Sequence, residues 1–106
     1  MKLTVIFFTY LLHSKTKNKF YVGATNNLSR RISEHNSGQS KSTKHGKPWE
    51  LVFVATFENF SDARKLETRI KKMKSKKFIQ ELINCDLNQI NLFKHSVARP
   101  DLSGRS

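Results

Sequence analysis

Seven polar residues, His13 to Lys19 ("HSKTKNK"), are all that separate two runs of β-branched and aromatic residues, Leu3 to Leu12 and Phe20 to Ala24. A parallel return needs a crossover of a dozen or more residues, so these runs can pair only as an antiparallel hairpin. The first run is apolar at both parities, as expected of a central strand covered on both faces. A third run, Trp49 to Phe57 ("WELVFVATF"), supplies another strand. Between them, Asn26 or Asn27 can cap a helix reaching about Asn36, and "NSGQSKSTKHGKP" reads as a long, basic loop. Beyond the third run, Ser61 in "ENFSDA" is the expected cap of a helix extending to about Lys74, and "SKKFIQELIN" reads as a shorter one. The order ββαβαα describes an α+β fold with a three-stranded, mainly antiparallel sheet flanked by helices.

A chain of 106 residues makes one domain. At this length roughly 60 to 65% of the unfolded surface can be buried. The domain is expected to span residues 1–84, and residues 85–106, which end in "RPDLSGRS", are expected to be a mobile tail. Cys85 is the single cysteine, which excludes an intrachain disulfide and a thiolate metal cluster and suits a reducing, cytoplasmic setting. The opening "MKLTVIFFTYLL" has the apolar look of a signal peptide but no small-x-small cleavage site after it, so a strand is the expected reading. No run approaches the roughly 18 apolar residues of a membrane span.

The net charge of +12 is unevenly spread. Residues 13–47 hold 8 basic residues against 1 acidic, residues 61–84 hold 8 against 3, and the rest of the chain balances. Such clustering suits a surface that meets a polyanion, nucleic acid being the commonest, although a solvated helix face also accounts for it. The residues expected on that surface are Arg30, Lys41, Lys44, His45, Lys47, Lys71 and Lys74.

Helical geometry separates two neighbouring arginines. With Leu28 at zero, Ile32 falls at about 40°, His35 at about −20°, Arg31 at about −60° and Arg30 at about 200°. Arg30 therefore faces solvent, while Arg31 borders the buried stripe beside His35. A guanidinium there needs an anionic partner, either a protein carboxylate or a bound phosphate. In the second helix Ala63, Leu66, Ile70 and Met73 form the apolar stripe, with Glu67 about 80° from its centre. Glu67 is the one acid between Lys65 and Lys77. It either pairs with Lys71 at i+4 or offers a hard oxygen to a divalent metal. A hairpin with its tip at Lys15 and Thr16 sets Tyr10 directly opposite Tyr21, placing both phenols on one face. Paired strand tyrosines serve packing, or proton transfer where a cation is near. Gly23 is expected to end the second strand where the backbone bends or something comes close.

These residues in this order resemble the GIY-YIG nuclease superfamily, most closely small stand-alone bacterial members related to the nuclease domain of the excision-repair protein UvrC. "FTY" at Phe8 to Tyr10 stands at the first motif with its tyrosine retained, and "YVG" at Tyr21 to Gly23 stands at the second. Arg31, His35 and Glu67 follow in the expected order over roughly Thr4 to Asn84. The resemblance implies a DNA endonuclease with one magnesium or manganese ion per active site held by Glu67. It further implies Tyr10 as the likelier base, Tyr21 as an orienter of water or phosphate, Arg31 as the scissile-phosphate contact and His35 as a relay. Asn84, Lys44 and His45 are weaker matches to further family positions. A non-cleaving nucleic-acid clamp and a basic RNA-coating protein are the competing classes, and a protein partner is left open. The charge alone suits all three, whereas the intact set of Tyr10, Arg31 and Glu67 favours catalysis.

Overall fold

The computed structural model describes residues 5–41 and 43–91. Strands β1 (Phe7–Ser14), β2 (Lys19–Thr25) and β3 (Trp49–Phe57) form one antiparallel sheet in the order β2-β1-β3. Helices are α1 (Leu28–Ser37), α2 (Phe60–Met73) and α3 (Lys76–Asn84). The expected α+β order is thus the observed one, with some boundaries moved. The first strand starts at Phe7, later than the sequence suggested. Asn59, not Ser61, caps α2, because its side chain accepts from the Asp62 N–H at 2.8 Å.

The sheet is covered on both faces by two separate apolar clusters. Tyr10, Leu12 and Val54 pack with Leu28 and Ile32 of α1 and with Trp49, while Leu11, Phe53 and Ala55 pack with Ile70 of α2 and the apolar side of α3. Leu11 and Leu12 are both fully buried, which is why β1 is apolar at both parities. Each such side chain contributes about 1.5–3 kcal/mol through burial. Alternation along β3 supplies side chains to both clusters, and a β-bulge shifts which residues face which. Leu11 pairs with Phe53 and Leu12 with Leu51, so Val52 is an extra residue, and the face that holds Trp49 and Leu51 continues at Val54. Met73 closes the predicted stripe of α2 but is 48% exposed, because α2 ends there and Lys74 turns the chain in the left-handed conformation.

The first part of the expected tail is docked. Among residues 85–91, the Asn88 side chain donates to Val52 O and Ile83 O and accepts from Val54 N–H and Ile90 N–H, while the Gln89 N–H donates to Val54 O at 2.8 Å. Gln89 Oε1 also accepts from Thr56 N–H. These bonds run along the outer edge of β3, on the side away from β1. The remainder of the expected tail lies outside the described residues. Replacing Asn88 with Ala leaves several backbone groups unpaired and is expected to cost about 1–3 kcal/mol, read as a lower urea midpoint at an unchanged m-value.

Candidate active site

The hairpin register decides what Tyr10 touches. The turn spans Lys15 to Asn18, closing on a left-handed Asn18, and Ser14 Oγ accepts from the Lys17 N–H at 3.1 Å. The tip therefore lies one residue further along than expected. Tyr10 pairs with Gly23 and Tyr21 with Leu12, so the two tyrosines share a face diagonally, with ring centroids 6.4 Å apart. Gly23 lies inside β2 rather than at its end, and its role follows from that position. A Cβ on Gly23 would come within 2.5 Å of the Tyr10 hydroxyl and 2.6 Å of Cζ. The absence of a side chain at Gly23 makes room for the Tyr10 ring.

Helix α1 presents its expected face. The Asn27 side chain caps it, Leu28, Ile32 and His35 are buried, and Arg30 points to solvent with a side chain 61% exposed. His35 is fully buried, with Nε2 3.1 Å from the Tyr10 hydroxyl and Nδ1 2.7 Å from Thr43 Oγ1. Burial and the neighbouring Arg31 charge lower its pKa to about 4, against a weaker upward pull from Glu34. The imidazole is thus neutral near pH 7 and both its nitrogens are engaged. Tyr10 is buried too, and that pushes its phenol up to about 12; the Arg31 hydrogen bond opposes the rise, and the Tyr21 and Glu67 charges add to it. Arg31 is bonded to Tyr10 and forms an ion pair with Glu34, and these two partners hold its pKa up despite desolvation. Tyr21 is half-buried. Its ring lies 4.8 Å from that of His35 and meets Trp49 edge-on, and no hydrogen bond engages its hydroxyl among the described residues.

Glu67 approaches from α2. Its side chain is only 12% exposed, and its carboxylate is bridged by Arg64 at 3.1 Å and Lys71 at 3.0 Å, both largely exposed. Glu67 thus makes the expected pair with Lys71, and its charge is also felt by the Tyr10 phenol. Among the described residues no group of three or more His, Cys, Asp or Glu gathers to enclose a metal. One hard, nearly buried carboxylate does fit an ion that keeps most of its water ligands.

The long loop after α1 is tethered to this site. Trp49 Nε1 donates to Thr43 O at 2.7 Å, the indole packs where a side chain on Gly46 would have to go, and Asn36 exchanges two hydrogen bonds with the Trp49 backbone. Lys44 and His45 are exposed on a single 3-10 turn, Lys44–Gly46, next to Thr43, and Lys41 and Lys47 are exposed on either side. Lys71 and Lys74 lie at the C-terminal end of α2. Asn84 is exposed at the end of α3, and no contact joins it to the tyrosines. Sequence reasoning missed Glu34 and Thr43. Glu34 was available from helical spacing, three residues after Arg31, whereas nothing in a loop sequence marks Thr43 as the partner of His35.

The chain is similar to known proteins over most of its length. A family model described as the GIY-YIG catalytic domain matches residues 6–80. The UPF0213 protein YazA of Bacillus subtilis is 37% identical over 81 residues, covering 73% of this chain and 81% of that protein. A structure-specific endonuclease subunit slx1 of Pyrenophora tritici-repentis is 37% identical over 59 residues, which cover 51% of this chain but 16% of that protein. The solution structure of the UPF0213 protein BH0048 from Bacillus halodurans superposes with a TM-score of 0.51 at 27% identity, covering 88% of this chain and 99% of that one.

The His35 pKa carries a stability consequence. An unfolded histidine titrates near 6.5 and the folded one near 4, so the unfolded chain binds the extra proton in that interval. Stability contributed by neutral His35 is full above pH 6.5 and lost as pH falls towards 4, on the order of 3 kcal/mol. Thermal midpoints measured from pH 7 to 4 are expected to fall less steeply for His35→Asn than for the native protein.

Proposed function

Because the chain belongs to the GIY-YIG family, we propose that it is a divalent-metal-dependent endonuclease that hydrolyses phosphodiester bonds in DNA. One observation carries the reading. The Tyr10 phenol lies beside that of Tyr21 and feels the charges of both Arg31 on α1 and Glu67 on α2, in a chain of net charge +12.

The residues divide the work by burial and bonding. Tyr10, pushed up to about 12 and engaged with His35 and Arg31, stays protonated and serves as a fixed donor, in place of the base role that the family resemblance suggested. Tyr21, with a half-exposed ring and an unengaged hydroxyl, passes its own phenolic proton to solvent as it takes the proton of the attacking water. Arg31 exchanges part of its Glu34 pairing for a phosphate oxygen and stabilises the charge that grows there. Neutral His35 carries no charge to the phosphate, and it orients Tyr10 from behind. Glu67 would hold the ion, Mg²⁺ or Mn²⁺, which when bound supplies Lewis acidity and orients the phosphate. Its two exposed partners, Arg64 and Lys71, are weakly held and free to turn away.

The similarity to subunits of structure-specific endonucleases supports a substrate chosen by its structure. Within the same proposal that substrate is branched or single-stranded DNA, met in repair or recombination in the cytoplasm. Among the described residues no helix is long and apolar enough to cross a membrane. On labelled single-stranded, duplex and branched DNA with Mg²⁺, Mn²⁺ or EDTA, Glu67→Gln is expected to abolish cutting while binding DNA at least as tightly. Cutting retained by this variant rules out Glu67 as the ligand. Arg31→Ala is expected to lower the cleavage rate about 100-fold or more. Arg30→Ala, on the solvent side, should change it within about threefold, and equal losses would contradict the assigned orientation of α1.

A further inference from the structure

Beyond the tyrosines lies a second concentration of cations. Where the β1–β2 turn meets the junction of α2 and α3, a groove of about 540 Å³ is lined by Lys17, Lys19, Lys74 and Lys76, over an apolar floor of Phe20 and Ile79. No carboxylate lines it. None of the four lysines forms an ion pair among the described residues, and Lys76 reaches only the Asn18 carbonyl, at 3.4 Å. Lys76 and Lys77 also occupy the first turn of α3, where exposed N–H groups already carry positive partial charge and acidic residues are favoured, yet that turn has no acid. Like charges gathered at such a point repel one another and lower stability unless an anion from outside neutralises them.

The position of the groove states which anion. Lys19 precedes Tyr21 by two residues on β2, about 7 Å along the strand. Lys74 follows Glu67 by seven residues at the end of α2, about 10 Å along the helix. Both paths lead from the proposed chemistry to the same groove, and 7–10 Å is two or three steps of a nucleic-acid strand at roughly 3.4 Å each. Resting on the reading of this protein as one that acts on nucleic acid, we propose that the groove is a phosphate track. It grips the strand two or three nucleotides from the bond to be cut, so that cutting requires unbroken backbone on that side.

The test separates this track from general basicity and from the nuclease reading. Affinity for a labelled oligonucleotide is measured in EDTA, so that nothing is cut, across 50–300 mM KCl for the native protein, Lys19→Gln/Lys76→Gln and Lys65→Gln/Lys72→Gln. The last pair removes equal charge from a different surface of α2. The groove pair is expected to lower the slope of log K against log salt by about 1.4 to 1.8, the value for two lost phosphate contacts, and the control pair by less than half of that. Lys19→Arg/Lys76→Arg should restore the native slope. An unchanged slope, or an equal fall for both glutamine pairs, overturns the track. Cleavage in Mg²⁺ is scored separately: native protein that cuts while the groove pair keeps its slope retains the nuclease and loses the track. Native protein that binds with the groove-dependent slope and cuts no substrate retains the track and loses the nuclease.

Discussion

Tyr10 lies with its ring over Gly23, in space that a side chain on β2 would fill, and its hydroxyl is thereby held where His35 and Arg31 of α1 bond it. Removing that space would displace the ring, and the bonds that join the sheet to α1 would go with it. A buried phenol needs such partners, since an unmet hydroxyl costs about 1–3 kcal/mol. The same bonds fix its chemistry. Burial keeps the phenol protonated and the bond to His35 fixes its hydroxyl, while the Tyr21 ring is only half-buried.

The support for Tyr10 extends outward in layers. His35 is pinned by Thr43, Thr43 is held by the Trp49 indole through its carbonyl, and Trp49 is fixed by the Asn36 side chain and by close packing on Gly46. A loop that reads as a long basic insertion is thus tied to the core at its centre, while its lysines stay in solvent. On the other face, α2 carries Glu67, whose charge the Tyr10 phenol feels, and the bulge at Val52 shifts which β3 residues meet each helical layer. Asn88 and Gln89 bond the outer edge of β3, which is open because β3 is an edge strand of the sheet.

Much of this was legible in the residues. The hairpin followed from a connection too short for a crossover, and the fates of Arg30 and Arg31 followed from a 100° step per residue. The two residues missed beside the site differ in kind. Glu34 obeys local spacing and was available in principle; Thr43 meets His35 only because Trp49 pulls the loop back. The cap of α2 and the hairpin tip were near misses of one or two residues, in which neighbouring residues with similar local preferences competed.

The sequence by itself determined the order of elements, the apolar faces, the antiparallel hairpin and the family of ordered site residues, because these rest on short-range stereochemistry and on periodicity that any window of the chain displays. Tertiary structure alone decided which phenol is buried, that Tyr10 faces Gly23 rather than Tyr21, that the Glu67 charge on α2 is felt by the Tyr10 phenol, and that four lysines from separate elements line one groove. Those outcomes depend on a register set by a single turn and on contacts between residues 25 to 58 positions apart. Local preference does not encode them; packing and long-range electrostatics select them once the sheet has closed.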